Sequence, residues 1–317
     1  MADLAAETHR ALFGSAPGIT GPDLAELTST DVDRNRELWR ALGFPVPDGD
    51  DPAHAADEVA ALGALGRLQE AGVIDDAVAL QLTRSMGRAL AGIARAQAEV
   101  FEQLAVTAGA DPRALVGTLA GVLPDLESLV VFVWRRHLSA AVADVIAIGE
   151  PGALRSVAVG FVDVTGFTEL SRAHPVEVVR HVIRNLEARV TDAVSAVGGR
   201  VVSTLGDAVL FTVADVATAA HLALDLVALA AVDADLPPVR VGLAHGEVLS
   251  HHGDILGPVV NLAARLSEVA RPGTVLVDRE AAAALRTVDG VVVRRIPRIS
   301  VRGYAHLEPW VLRSTAD

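Results

Sequence analysis

Two aspartates in similar settings carry the chemistry most easily read from this chain. Asp163 lies in Phe161-Val-Asp-Val-Thr-Gly-Phe-Thr-Glu-Leu170, and Asp207 in Val201-Val-Ser-Thr-Leu-Gly-Asp-Ala-Val-Leu-Phe211. Each sits beside an apolar, β-branched run with a glycine close by, so a strand ends where a carboxylate meets a turn. Taken singly, either is an ordinary hairpin residue, since Asp-Gly and Gly-Asp are common turn signals. As a pair they suit Mg²⁺ or Mn²⁺, which take hard oxygen ligands. Carboxylates on adjacent strands could hold two such ions about 3.5–4 Å apart, the spacing used for in-line displacement at phosphorus.

A third segment, Gly253-Asp-Ile-Leu-Gly-Pro-Val-Val-Asn-Leu-Ala-Ala-Arg-Leu266, reads as a helix start from Pro258 onward. Asn261 and Arg265 are four apart and share one helix face. An amide and a guanidinium stacked near a helix N-terminus suit a ribose oxygen and a phosphate. Alone, the same pair also fits the solvated side of an amphipathic helix.

In this order and spacing the three segments resemble the catalytic domain of the class III nucleotidyl cyclases, over roughly residues 155–315. The resemblance implies that Asp163 and Asp207 hold two Mg²⁺ or Mn²⁺ ions, with the backbone carbonyl of Val164 as a further ligand. It implies that the backbone amides at Gly166 and Phe167 approach the triphosphate, that Asp254 reads the purine, that Asn261 orients the ribose and that Arg265 faces the transition state. The implied reaction is attack of the ribose 3′-hydroxyl of ATP on the α-phosphorus, giving cyclic AMP and pyrophosphate. It also implies a head-to-tail homodimer, with Asp163 and Asp207 of one chain facing Ser203, Asp254, Asn261 and Arg265 of the partner subunit.

One position departs from the family pattern. The lysine expected four residues before the second metal aspartate is Ser203, in a chain whose 27 basic residues are all arginine. A hydroxyl still donates, but with shorter reach, and losing a charge-assisted bond costs about 1.5–3 kcal/mol. A catalytically weak nucleotide-binding homologue acting as a signal-responsive regulatory dimer is therefore the alternative reading. Asp254 still favours adenine, whose N6 amine can donate to it, over guanine, whose O6 would face it as a second acceptor. His245, His251 and His252 read as a strand residue and a hairpin tip rather than as ligands or bases.

Composition sets bounds on the rest. At 317 residues the chain suits two domains. Its hydrophobic fraction is 51%, yet no run reaches the ~18 uninterrupted apolar residues of a spanning helix. A net charge of −13 argues against nucleic-acid or anionic-membrane binding. The absence of cysteine and of a signal-peptide pattern fits a cytoplasmic protein.

The elements that must position these residues fall after a junction near residues 148–155. Beyond it Ser156-Val-Ala-Val-Gly-Phe-Val162 reads as a strand, 179–197 as a helix and 200–213 as a hairpin turning at Gly206-Asp207. Residues 216–232 read as a helix and 238–250 as a strand, followed by the Asn/Arg helix and late strands at 274–278, 290–295 and 310–312. The expected class is α+β: an N-terminal all-α bundle over 1–150, then a cyclase domain over 151–317 whose ferredoxin-like core is implied by the resemblance.

Before the junction, helices are expected at 31–42, 55–71, 75–105, 111–123 and 126–148, with breakers at Gly43-Phe-Pro-Val-Pro47, Gly49 and Pro52. Through Arg40-Ala-Leu-Gly-Phe-Pro45 and Trp134-Arg-Arg-His137 this part resembles the regulatory domain of some soluble actinobacterial adenylate cyclases. That implies autoinhibition, with a lipid or proton input. Ser128-Leu-Val-Val-Phe-Val-Trp-Arg-Arg-His137 is apolar all round, which places it in a bundle core or a dimer interface. Arg135, Arg136 and His137 could meet a carboxylate head group or titrate near neutral pH, or simply end the helix in solvent. A helix-turn-helix reading of residues 31–45 is opposed by the acidity around it.

Overall fold

The computed structural model describes residues 2–46, 51–109, 111–148, 154–251, 253–301 and 304–316. The chain divides into two compact units, Met1–Asp144 and Val145–Asp317. The residues of the expected junction, 149–153, lie outside the described ones, as do Pro47, Gly49 and His252.

The first unit is helical: α1 (Ala2–Phe13), α2 (Gly21–Thr28), α3 (Val32–Leu42), α4 (Ala56–Glu70), α5 (Asp76–Thr107) and α6 (Pro112–Ile148). Local chemistry fixes the ends. Thr20 and Asp23 form a reciprocal capping box on α2, Asp31 and Asp75 cap α3 and α5, and Gly43 ends α3 in the left-handed region at φ 90°. Leu24, Leu38 and Ala79 are buried among these helices.

Two expectations for this unit are corrected. The break expected at Pro124 does not occur, and α6 runs through it. A proline inside a helix deletes one N–H bond, and the flanking helix-forming residues carry the helix past the loss. Of the two placements expected for 128–137, the bundle core is not seen, since Phe132 is 65% and Trp134 58% exposed, which leaves the dimer interface. The stretch Ala114–Ala143 has the length and apolar composition of a membrane span, with a mean hydropathy of 1.7 and 6% of its apolar window buried. It also carries Asp125, Glu127, Arg135 and Arg136, which are costly in a bilayer.

The second unit is mixed: β1 (Arg155–Val164), α7 (Phe167–Ala173), α8 (Val176–Ala196), β2 (Arg200–Leu205), β3 (Ala208–Val213), α9 (Val216–Val232), β4 (Val239–His251), β5 (Asp254–Leu256), α10 (Pro258–Val269), β6 (Val275–Val277), α11 (Arg279–Ala284), β7 (Val291–Arg295), β8 (Ile299–Val301), β9 (Tyr304–Leu307) and β10 (Trp310–Ser314). The main sheet runs β2-β3-β1-β4-β6-β10-β7, with β5 folded back on the end of β4. Strands β2, β3, β1 and β4 pair antiparallel and β4 pairs parallel with β6. With α8 and α9 as the crossovers, the first four strands are the expected ferredoxin-like core, and the chain is α+β.

Strand β1 is buried on both faces from Ala158 onward because helices cover both. On one face α8 lays down Val182, Leu186, Val190 and Val194, each four apart, beside the alanine-rich stripe of α9. On the other, Val259, Ala263 and Leu266 of α10 pack on Val159, Phe161, Leu210 and Ala244. Gly242 lets α10 come this close, since a Cβ there would lie 2.2 Å from both Ala263 O and Ser267 N.

Candidate active site

Asp163 is the penultimate residue of β1, opposite Ala208 of β3 and Arg240 of β4, and is only 9% exposed. Asp207 occupies the β2–β3 turn after Gly206, whose φ of 67° only glycine adopts readily. The Val164 N–H donates to the Asp207 carbonyl at 3.1 Å, which ties the turn to the end of β1. Burial raises the Asp163 carboxyl above its ordinary pKa, the Arg240 guanidinium opposes this, and the nearby Asp207 carboxylate adds to the rise.

Arg240 is the residue that sequence reasoning missed. Its Nε donates to Asp163 Oδ2 at 2.7 Å, its Nη2 contacts the same oxygen, and its Nη1 donates to the backbone carbonyl of Glu268 at 2.7 Å. Within one chain, then, the cation at the buried aspartate is Arg240 and not Arg265. The available signal was weak: alternation along β4 puts Arg240 on the same side as Gly242, but pairing it with Asp163 requires the β1–β4 register.

Val164 follows Asp163 at the end of the strand, and Thr165 N donates to Pro238 O at 2.9 Å. Gly166, at φ 72°, stands at the N-cap of α7, and Phe167 opens that helix with its ring against the core. The turn expected to approach phosphate is thus a helix start with free backbone N–H groups.

Asn261 and Arg265 lie on α10 as expected. The buried stripe of this helix is Val259, Ala263, Leu266 and Ser267, so at 100° per residue Asn261, Arg265 and Glu268 fall on the opposite, outward side. Arg265 Nη1 donates to both carboxylate oxygens of Glu268, at 2.5 and 2.6 Å. Ser203 is half-buried in β2, and a bulge between Val201 and Ser203 pairs it with Leu210 and hence with the α10 side of the sheet. Strand β2 touches β5, which carries Asp254. The Asp254 carboxylate accepts from its neighbour Ile255 N at 2.7 Å.

His245 faces the other way. It is five residues from Arg240 along β4, so it points to the opposite side of the sheet, where Nε2 lies 3.3 Å from Ser156 Oγ. His251 ends β4 opposite Asp254.

Among the described residues no group of three or more His, Cys, Asp or Glu side chains is placed to hold a metal. Two carboxylates fit Mg²⁺ or Mn²⁺ all the same, because these ions are commonly held by one or two carboxylates with water and substrate phosphates completing the shell. A buried aspartate that already draws a cation to itself is suited to that exchange.

The sequence of residues 150–314 matches the family described as the adenylate and guanylate cyclase catalytic domain. An adenylate cyclase of Streptomyces coelicolor is 36% identical over 87% of this chain and 74% of its own length. One of Glutamicibacter nicotianae is 30% identical over 98% of this chain and 82% of its own. A Mycobacterium tuberculosis protein named as a pH-sensitive adenylate cyclase is 30% identical over 82% and 68%. With a family match over half its length and relatives aligned through both units, the chain belongs to the adenylate and guanylate cyclase family.

Proposed function

We propose that the chain is an adenylate cyclase converting ATP to cyclic AMP and pyrophosphate, working as a head-to-tail homodimer in the cytoplasm. The observation that carries this reading is the division of the site: Asp163 and Asp207 sit together at one sheet end, while Asn261 and Arg265 project outward from α10. Arg265 points away from the sheet that carries the aspartates of its own chain, which supports its serving those of a second copy.

In this reading Asp163, Asp207 and the Val164 carbonyl hold two divalent ions. When bound, these lower the pKa of the ribose 3′-hydroxyl and neutralise the departing pyrophosphate. Asn261 of the partner subunit orients the ribose, and Arg265 of the partner subunit meets charge developing on the α-phosphoryl oxygens. Backbone amides at Gly166 and Phe167 receive the triphosphate. Arg240, released from Asp163, offers its fork to the same phosphates. Asp254 accepts from adenine N6 while Ser203 donates over a shorter reach than a lysine, through a bridging water. The adenylate cyclases among the relatives support ATP over GTP. In this reading the helical unit is regulatory, and we take its effect to be inhibitory.

The test is conversion of ATP and, separately, GTP by the purified full-length protein with Mn²⁺. Cyclic AMP should form from ATP, and Asp163→Ala or Asp207→Ala should lower turnover by about 10²–10³-fold without changing the circular dichroism. Retention of most activity in either variant would sink the metal assignment. Faster turnover by residues 151–317 than by the whole chain would carry the inhibitory role of the first unit. No product from either form would favour the degenerate reading that Ser203 raises.

A further inference from the structure

A groove of 640 Å³ opens in the helical unit between the C-terminal turn of α3 and the middle of α5. That is the volume of an ordinary small-ligand site, about 300–1,000 Å³. Three arginines line it: Arg40 from α3, and Arg84 and Arg88 from α5. Arg84 and Arg88 are four apart and share one helix face, where like charges repel and destabilise a helix. Among the described residues none of the three forms an ion pair or side-chain hydrogen bond. The one carboxylate on the wall, Glu37, is engaged by Arg34 at 2.8 Å.

Counter-charge is not scarce, because the chain carries 40 acidic residues against 27 basic ones. Elsewhere in the same unit Arg34 and Arg36 pair with Glu37, Asp76 and Asp33. Three guanidinium forks without a protein counter-charge, all solvent-exposed, therefore line one concave surface. The apolar part of the lining is alanine and one leucine, Leu42, which makes no slot for an acyl tail. Planar guanidinium groups match phosphate oxygens two bonds at a time, and three of them suit a ligand with more than one negative charge.

We propose that this groove binds a small, multiply charged phosphate of the pyrophosphate or organic-phosphate class, at a site separate from the cyclase site. The probe is inorganic pyrophosphate, titrated calorimetrically into the full-length protein in EDTA, which keeps metal-dependent phosphate binding at the cyclase site out of the signal. One pyrophosphate per chain should bind, more weakly as salt rises. Arg84→Ser/Arg88→Ser should weaken binding at least about tenfold, while its unliganded Tm stays equal or rises as the repulsion on α5 is relieved. Arg40→Ser, on a different helix, reads the same site should the double variant fold poorly. No saturable binding by the wild type, unaltered binding in both variants, or binding of acetate or oleate but not pyrophosphate would each overturn the proposal.

Discussion

At the scale of single residues, the two arginines near the site differ in what holds them. Arg240 is fixed by the buried Asp163 and by the Glu268 carbonyl, whereas Arg265, among the described residues, is held by the carboxylate of Glu268, three residues further along its helix. An exposed pair of this kind adds little to stability, about 0–1 kcal/mol. Its effect is on direction: both carboxylate oxygens accept from one nitrogen and set where the guanidinium of Arg265 points. Glu268→Ala should therefore lower kcat by about threefold to tenfold with little change in KM for ATP, and should do nothing further in an Arg265→Ala background. An equal loss of kcat in that background would show that Glu268 does not act through Arg265. The aspartates and the Asn/Arg pair were legible in the sequence because each sits in a local signature, a strand end or a helix face. Arg240 and Glu268 were not, because each gains its meaning from a contact whose other half is distant or unremarkable.

At the scale of elements, the junction of β6 and α11 holds a buried ionisable group away from Asp163 and Asp207. Asp278 is 3% exposed and caps α11, accepting from Ala281 N at 3.0 Å and from His245 N at 3.2 Å. Burial pushes its carboxyl up to about 7, the two N–H donors pull it down, and Glu280 beside it adds repulsion. The native state therefore keeps a proton that the unfolded chain has already released, so stability falls as pH rises from about 4 to about 7. Asp278→Asn keeps an oxygen for both N–H groups and cannot ionise. Its Tm should vary less than that of the wild type across that window, and an unchanged slope would place the titration elsewhere. Most elements of the second unit were legible because hydrophobic period and glycine turns agree there. Pro124 misled because a single breaker is outweighed by helix-forming sequence on both sides, and α2 and the β8–β9 hairpin are too short for period alone to reveal.

At the scale of the whole molecule, the two-copy reading makes a quantitative claim. In a mixture of Asp163→Ala and Arg265→Ala chains, half of the dimers are mixed, and each mixed dimer rebuilds one intact site of two. Activity should therefore return to about a quarter of the wild-type value although each variant alone is nearly inactive. No recovery on mixing would mean that each chain completes its own site. What the whole depends on is also unevenly distributed. Because α10 rests on β4 backbone to backbone at Gly242, any side chain at that position would push the helix off the sheet and carry Asn261 and Arg265 with it. A residue with no side chain to lose thus becomes a point of fragility for a site it does not touch.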